Sequence, residues 1–231
     1  MITKNRLIDT GELVIKGRLV DASNATLLAH IKDSDPIQQV IYKPVAGERP
    51  LWDFQDGDLA SREYSAYLIS DIAGLNLVPY TALRDGPFGV GMVQQWINID
   101  ENIDVVEFGQ SSDPQLRKLA LFDAIINNTD RKYGHLLVDS SGVLKGCDHG
   151  VSFHSDDKLR TVLWQFASLP FDSDELALLH SINDLALEEM FSEYLTVLEI
   201  TALRQRLVSL ASTAKFPEPN NQWPAVPWPP V

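Results

Sequence analysis

The chain has 231 residues, of which 45% are hydrophobic and 22% charged; this is the composition of a globular protein and excludes a disordered or fibrous one. Its 32 acidic and 19 basic residues give a net charge of -13, which excludes a general affinity for nucleic acids or anionic membrane surfaces. The one cysteine, Cys147, excludes an internal disulfide and a zinc site built from several thiolates.

The first twenty residues give no targeting signal. They contain no apolar core of signal-peptide length before a cleavage site, and no stretch of the chain approaches the roughly 18 consecutive apolar residues of a transmembrane helix. A single cysteine also fits a reducing compartment. We therefore expect a cytoplasmic protein without a transmembrane segment.

The first 97 residues alternate strand-like runs with turns and contain one helix. The helix is predicted over 59–72, where apolar residues recur at helical spacing between an N-cap at Asp58 and a stop at Gly74. A polar turn over 21–25 joins the first two strands. Strands are predicted over 12–20, 26–31, 39–44, 78–84 and 91–97.

From residue 98 the pattern becomes mostly helical. The strongest helix is predicted over 116–127, and Asp113 with Pro114 is its start signal. Short strand-like runs follow at 136–139 and 143–150. Further helices are predicted over 175–180 and, with breaks, over 185–210.

The last 17 residues, 215–231, contain six prolines and two tryptophans and should be extended. We expect the tryptophans to pack on the rest of the protein; a tail that docks a partner is the alternative. The whole pattern predicts an α+β protein with a strand-rich N-lobe at 1–97, a helical C-lobe at 98–214 and this tail. A cleft between two lobes is a common ligand site.

The densest cluster of polar residues lies in 127–150. Asp130 and His135 flank a polar loop after an apolar helix, and Asp148 closes a strand-like run. Carboxylates and an imidazole that converge on one cleft could hold a divalent cation and orient a hydroxyl. Phosphoryl transfer requires little more than such a cation, positioning and a base beside the acceptor.

The N-lobe offers a second set of candidate residues. Lys43 ends a predicted strand and Glu63 lies on the predicted helix, and kinase-like folds pair such residues to hold a phosphate-binding cation. The turn before the second strand could cover phosphates, with Ser23 and Asn24 as donors in place of glycines.

The last predicted strand before the sequence becomes mostly helical reads MVQQW and contains Gln94 and Gln95. A hinge at this point would present backbone groups to an adenine. Gln94 and Gln95 are therefore candidate nucleotide-binding residues.

Together, Lys43, Glu63, the MVQQW strand, D-R-K-x-x-H at 130–135 and D-H-G at 148–150 resemble the phosphatidylinositol 3-/4-kinase-like superfamily, most of all its small bacterial members. HipA-type serine kinases share a similar layout. The resemblance covers residues 11–166 and implies a two-lobed atypical protein-kinase-like fold that binds ATP with Mg²⁺ or Mn²⁺.

By this resemblance, Asp130 is the catalytic base or hydroxyl-orienting carboxylate and Asp148 the principal metal ligand. Lys43 would contact the ATP phosphates, and Glu63 would steady it. The sequence departs from the family's D-R-H-x-x-N pattern: Lys132 stands at the histidine and His135 at the metal-binding asparagine. His135 is then a candidate metal ligand that would favour Mn²⁺ over Mg²⁺, leave only one metal bound or weaken catalysis.

The resemblance predicts an ATP-dependent kinase whose acceptor is a hydroxyl of a protein or a small molecule. A lipid is less expected, because Lys158 and Arg160 are offset by Asp156 and Asp157 in the segment after the D-H-G motif.

Three alternatives remain. One is a nucleotide-binding pseudokinase that regulates a partner without turnover. Another is transfer of the nucleotide instead of the phosphoryl group. The third is a metal-dependent hydrolase built on His135, His149 and His154.

Overall fold

A five-stranded antiparallel sheet with the order β1-β2-β3-β5-β4 forms most of the N-terminal part of the computed structural model, which describes residues 5–19, 24–220 and 222–231. Alternate residues of each strand face one side, and these apolar side chains bury a small core of which Val40, Tyr42 and Val93 are fully buried members. The strands are β1 (Leu13–Arg18), β2 (Leu27–Ile31), β3 (Gln39–Pro44), β4 (Thr81–Gly86) and β5 (Gly89–Gln95).

The predicted helix is α2 (Leu59–Ile72), the second helix after a short α1 (Arg6–Thr10). The carboxylate of Asp58 caps α2 by accepting a hydrogen bond from the Ser61 N–H at 2.6 Å. The bounds of α2 and its cap agree with the sequence prediction. Tyr67 and Leu68 on this helix join the hydrophobic core of the C-terminal part, so α2 connects the sheet to the helices.

The C-terminal part is mostly helical. Its helices are α3 (Val105–Gly109), α4 (Pro114–Ile126), α5 (Ser173–Asn183), α6 (Leu187–Phe191) and α7 (Val197–Thr213), and a two-stranded sheet joins β6 (Leu136–Val138) to β7 (Leu144–Gly146). Helix α4 begins two residues before its predicted start, but the predicted start signal is right, with Asp113 as the N-cap and Pro114 in the first turn. The α+β class and the two-lobed arrangement are therefore confirmed.

Several predicted boundaries are wrong for local reasons. The strand predicted from residue 78 begins at Thr81, because the Ser70 hydroxyl already accepts the N–H groups of Leu77 and Val78. The run at 143–150 ends at Gly146, since Asp148 adopts a left-handed conformation with φ of 59° and cannot continue the ladder.

The helices missed or merged by the sequence analysis are short or begin at caps. Helices α1 and α3 have five residues each, too few to show a hydrophobic period, although Asp104 caps α3. The predicted helix at 185–210 is two helices, because Thr196 and Glu199 form a capping box that starts α7.

The tail has no helix in its described residues and packs against the C-terminal part. The Trp223 ring lies 6.4 Å from that of Trp52, whereas Trp228 is 86% exposed, so the packing prediction was right for Trp223 only. Within the described part of the chain, no helix has the length and apolar character needed to span a bilayer.

Candidate active site

Lys43 stands at the centre of the candidate site. Near the end of β3, its ammonium donates one hydrogen bond to Oε1 of Glu63 on α2 and another, at 2.7 Å, to Oδ1 of Asp148. The side chain of Glu63 is 2% exposed and that of Asp148 is 50% exposed. A single cation thus joins the sheet, the helix behind it and the segment after β7.

The three charges change one another's proton affinity. The Lys43 ammonium lowers the pKa of Asp148 well below its usual range, so this carboxylate stays ionised. Burial raises the pKa of Glu63, although Lys43 opposes this. Burial disfavours the charge of Lys43, but the two carboxylates outweigh it and raise the pKa of the ammonium.

Asp130 lies in the loop after α4. The helix ends at Ile126 and is capped by Asn127, whose left-handed conformation (φ 54°) redirects the chain. The Asn128 side chain accepts the Asp130 N–H at 3.0 Å. The Asp130 carboxylate lies 3.2 Å from Nζ of Lys132. Burial raises the pKa of Asp130, which makes it a better proton acceptor than an exposed aspartate.

His135 closes the same loop. Its Nε2 lies 3.5 Å from Oδ2 of Asp148, and its Nδ1 accepts the Lys132 N–H at 3.4 Å. Burial lowers the pKa of His135 to about 4, so the imidazole is neutral at physiological pH. The structure thus brings Lys43, Glu63, Asp130, His135 and Asp148 together at one place, as the sequence analysis expected.

A buried ion pair between Arg131 and Asp123 stabilises the loop that carries Asp130. Arg131 and Asp123 are both fully buried, and the guanidinium donates to Asp123 Oδ2 from Nε and to Oδ1 from Nη2, each at 2.9 Å. Arg131 also donates to the Cys147 carbonyl at 2.9 Å and lies 2.7 Å from Nε2 of His149. Arg131 is therefore a structural ion-pair partner, which fixes the Asp130 loop to the segment that carries Asp148.

Asp123 was missed by the sequence analysis. Its signal was a lone carboxylate inside the apolar run of α4, which almost always has a buried partner.

The hydrolase alternative is wrong, because its three histidines do not converge. His149 contacts Arg131, and Nε2 of His154 lies 2.9 Å from the Asp53 carbonyl. Among the described residues there is no group of three or more His, Cys, Asp or Glu side chains that could hold a metal ion.

The carboxylate of Asp148 is available as a metal ligand beside the cavities. The neutral imidazole of His135 would be a second ligand only in its other tautomer, because Nε2 carries the ring hydrogen while Nδ1 accepts from Lys132. Mg²⁺ in phosphate-transferring sites takes one or two protein carboxylates and draws its other ligands from phosphate oxygens and water. This sparse donor set fits a cation that is brought in with a nucleotide and does not fit a closed structural metal site.

Two cavities meet at Lys43 and Asp148, which line both. The β5 cavity, of about 490 Å³, is bounded by Leu19, Thr26, Ile41, Gln94, Gln95, Trp96, Ile97, Ile99, Gly134, His135, Leu137 and Cys147. The Trp52 cavity, of about 350 Å³, is bounded by Asn24, Glu48, Arg49, Trp52, Asp53, Glu63, Thr129, Asp130, Arg160, Trp223 and neighbouring apolar residues. The first is the more apolar of the two.

The remaining predicted residues lie at the edges of these cavities. The Gln94 side chain donates to Thr81 at 2.9 Å, and the Gln95 N–H donates to the Tyr80 carbonyl at 2.8 Å. Asn24 accepts the Arg49 N–H at 2.9 Å. Ser23 lies outside the described residues.

The chain is similar to several known proteins. A family model for phosphatidylinositol 3- and 4-kinases matches residues 114–214, which include Asp130, His135 and Asp148. Protein Rv2133c of Mycobacterium tuberculosis is 39% identical over 264 residues, covering 98% of this chain and 95% of that protein.

Two further matches are more distant. Phosphatidylinositol 4-kinase gamma 5 of Arabidopsis thaliana is 29% identical over 167 residues, which are 67% of this chain but only 23% of the plant protein. The crystal structure of the Helicobacter pylori proinflammatory kinase CtkA has a TM-score of 0.45 and 12% identity, covering 90% of this chain and 94% of that one. Over residues 114–214 the chain is thus similar to phosphatidylinositol 3- and 4-kinases.

Proposed function

We propose that the protein is an ATP-dependent phosphotransferase that moves the γ-phosphoryl group of ATP to a hydroxyl of a protein or a small molecule. The observation that carries this proposal is the position of Lys43 between Glu63 and Asp148, where the two cavities meet. A fixed ammonium at this junction would stabilise the negative charge of the transferring phosphoryl group.

The β5 cavity is the proposed nucleotide site. Its walls include the apolar side chains of Ile41 and Leu137, which suit a flat base, and Gln94 and Gln95 border the same cavity. The phosphates would then extend toward Lys43 and Asn24. Ser23 is proposed as a further donor to them.

Asp148 and His135 are the residues that would hold Mg²⁺ or Mn²⁺. The cation would neutralise charge on the phosphate oxygens. Lys43 keeps the Asp148 carboxylate ionised and oriented, and Glu63 holds the ammonium of Lys43 in place.

Asp130 is proposed to orient the acceptor hydroxyl and to take its proton. It lines the Trp52 cavity, on the side of Lys43 away from the nucleotide site. Its raised pKa favours proton uptake, while Lys132 holds the carboxylate in one position.

A pseudokinase that binds nucleotide without turnover is the second candidate. It is favoured by His135, which stands where the family has an asparagine and whose Nε2 faces Asp148 at 3.5 Å. Both candidates require nucleotide binding, and only the first requires transfer.

The test combines binding and turnover. Thermal denaturation is measured with ATP, with and without Mg²⁺ or Mn²⁺, for the wild type, Asp148→Ala and Asp130→Asn. A ligand at a hundredfold excess over its Kd stabilises the folded state by about 2.7 kcal/mol. We expect a metal-dependent shift that Asp148→Ala loses and Asp130→Asn keeps.

Turnover is measured with ATP labelled at the γ-phosphate or on adenine. Phosphoryl transfer that Asp130→Asn abolishes supports the kinase, and binding without any transfer supports the pseudokinase. Adenine label in the product would show nucleotide transfer. Absence of any nucleotide-dependent shift would contradict both candidates.

A further inference from the structure

The Trp52 cavity contains polar groups that the fold leaves without partners. Arg160 and Trp223 line the cavity, and Nε of the first and Nε1 of the second are buried atoms without a hydrogen-bond partner among the described residues. Buried donors are almost always satisfied in folded proteins. Two such donors in the wall of one cavity indicate a ligand that accepts hydrogen bonds.

Five carboxylates and three cations line the cavity, so an anion must be held locally, by the cations that have no carboxylate partner. Each of its carboxylates already has a cation or two backbone N–H groups: Asp130 pairs with Lys132, Asp53 with Lys158, Glu63 and Asp148 with Lys43, and Glu48 accepts from Leu59 and Ala60. Arg49 and Arg160 also line the cavity, and neither forms an ion pair with a described residue. Guanidinium groups left in this way are suited to phosphate or carboxylate.

The aromatic walls are held in place by the rest of the protein. Trp52 lines the cavity and is 74% exposed overall, and Nζ of Lys158 lies 5.2 Å from its ring centre and 4.9 Å from that of Trp223. The tail is fixed near Trp223, because the Ala225 carbonyl accepts from the Thr161 N–H at 3.1 Å and from Nε1 of Trp164 at 2.8 Å. The tail therefore forms part of the cavity wall.

We propose that the Trp52 cavity binds the acceptor, and that the acceptor is a small water-soluble polyol with a phosphate or carboxylate group held by Arg160 and Trp223. This inference rests on the proposed function, because it assigns the hydroxyl to Asp130 in the same cavity. A volume of about 350 Å³ suits a small molecule. The indole faces suit the apolar face of a polyol ring, and the net charge of -13 disfavours an anionic membrane.

The test is calorimetric titration of the full chain without nucleotide. The probes are glycerol 3-phosphate, glucose 6-phosphate, myo-inositol 1-phosphate and glycerate, each compared with its uncharged parent polyol. Phosphatidylcholine vesicles containing phosphatidylinositol form the lipid arm. We expect at least one anionic probe to bind about tenfold or more tightly than its parent.

Two variants remove the proposed contacts. Arg160→Gln removes the charge, and Trp223→Phe removes the indole N–H but keeps an aromatic ring. Each should weaken anionic-probe binding about tenfold. Trp228→Phe is the matched control on the same tail, and binding should not change because Trp228 is 86% exposed.

Equal binding of charged and uncharged probes, unchanged affinity in both variants, binding to lipid vesicles alone, or no binding of any probe would each overturn the inference. A metal-dependent ATP shift that persists in any of these cases would leave the phosphotransferase standing and reject only the acceptor assignment. Loss of both the metal-dependent ATP shift and the binding of anionic probes would reject the proposed function as well.

Discussion

Nζ of Lys43 lies 2.7 Å from Oδ1 of Asp148, 105 positions later in the chain. The same ammonium contacts Glu63. Because Glu63 is buried and Asp148 is half-exposed, the two carboxylates depend on Lys43 to very different extents.

Replacing Lys43 should therefore destabilise the fold more than replacing Asp148. Lys43→Met leaves the Glu63 carboxylate buried without a cation, and we expect the free energy of unfolding to fall by about 3 kcal/mol. Asp148→Asn removes a half-exposed partner and should cost about 1 kcal/mol or less. Urea denaturation of the two variants measures both values. A larger loss in Asp148→Asn would contradict this prediction.

The Lys43→Met variant should also respond to pH. Burial raises the pKa of Glu63, so in the absence of Lys43 the folded state binds a proton more tightly than the unfolded state. Stability should then increase as the pH falls toward the usual pKa range of a glutamate. Lys43→Met/Glu63→Gln, which cannot ionise at position 63, should lack this increase. Parallel pH profiles of the two proteins would show that Glu63 is not the cause.

The buried ion pair between Arg131 and Asp123, next to the Asp130 loop, gives a second stability prediction. Arg131→Met leaves Asp123 charged and fully buried, so the free energy of unfolding should fall by about 3–5 kcal/mol. Arg204→Met breaks a pair with Glu188 that is largely exposed, and should cost about 1 kcal/mol or less. Denaturation of both variants provides the comparison. Similar losses would mean that the buried pair contributes no more than a surface one.

Local signals in the sequence account for much of the fold. Alternation of apolar residues located β3, helical spacing located α2, and the caps at Asp58 and Asp113 set helix starts, because each of these effects acts within a few residues. The order of charged motifs also located the cluster around Lys43. These signals require no knowledge of distant contacts.

The walls of the cavities could not be predicted in this way. Trp52 and Trp223 meet only after the tail has folded back along the C-terminal part, and no local period brings them together. The left-handed conformation of Asp148 likewise could not be located from the sequence, since aspartate adopts it more often than most residues but still in a minority of cases. Both features depend on tertiary packing.

The histidine in place of the family's asparagine should affect the choice of metal. If His135 is a ligand, His135→Asn replaces an imidazole nitrogen with an amide oxygen, which Mg²⁺ prefers. The ratio of Mn²⁺-supported to Mg²⁺-supported activity should then fall several-fold. His180→Asn, at an exposed histidine of α5, is the control and should leave the ratio unchanged. An unchanged ratio in His135→Asn would show that the imidazole is not a metal ligand.

Cys147 should be nearly inert to alkylation although it lines the β5 cavity. Burial raises the pKa of its thiol from 9.0 to about 12, and only the thiolate reacts. At pH 8 the thiolate fraction of the folded protein is then about a thousandfold lower than that of the unfolded chain. Iodoacetamide labelling at pH 8, with and without urea, measures the two rates by mass spectrometry. Labelling that is equally fast in both conditions would mean that the thiol is not held in a buried environment beside Asp148.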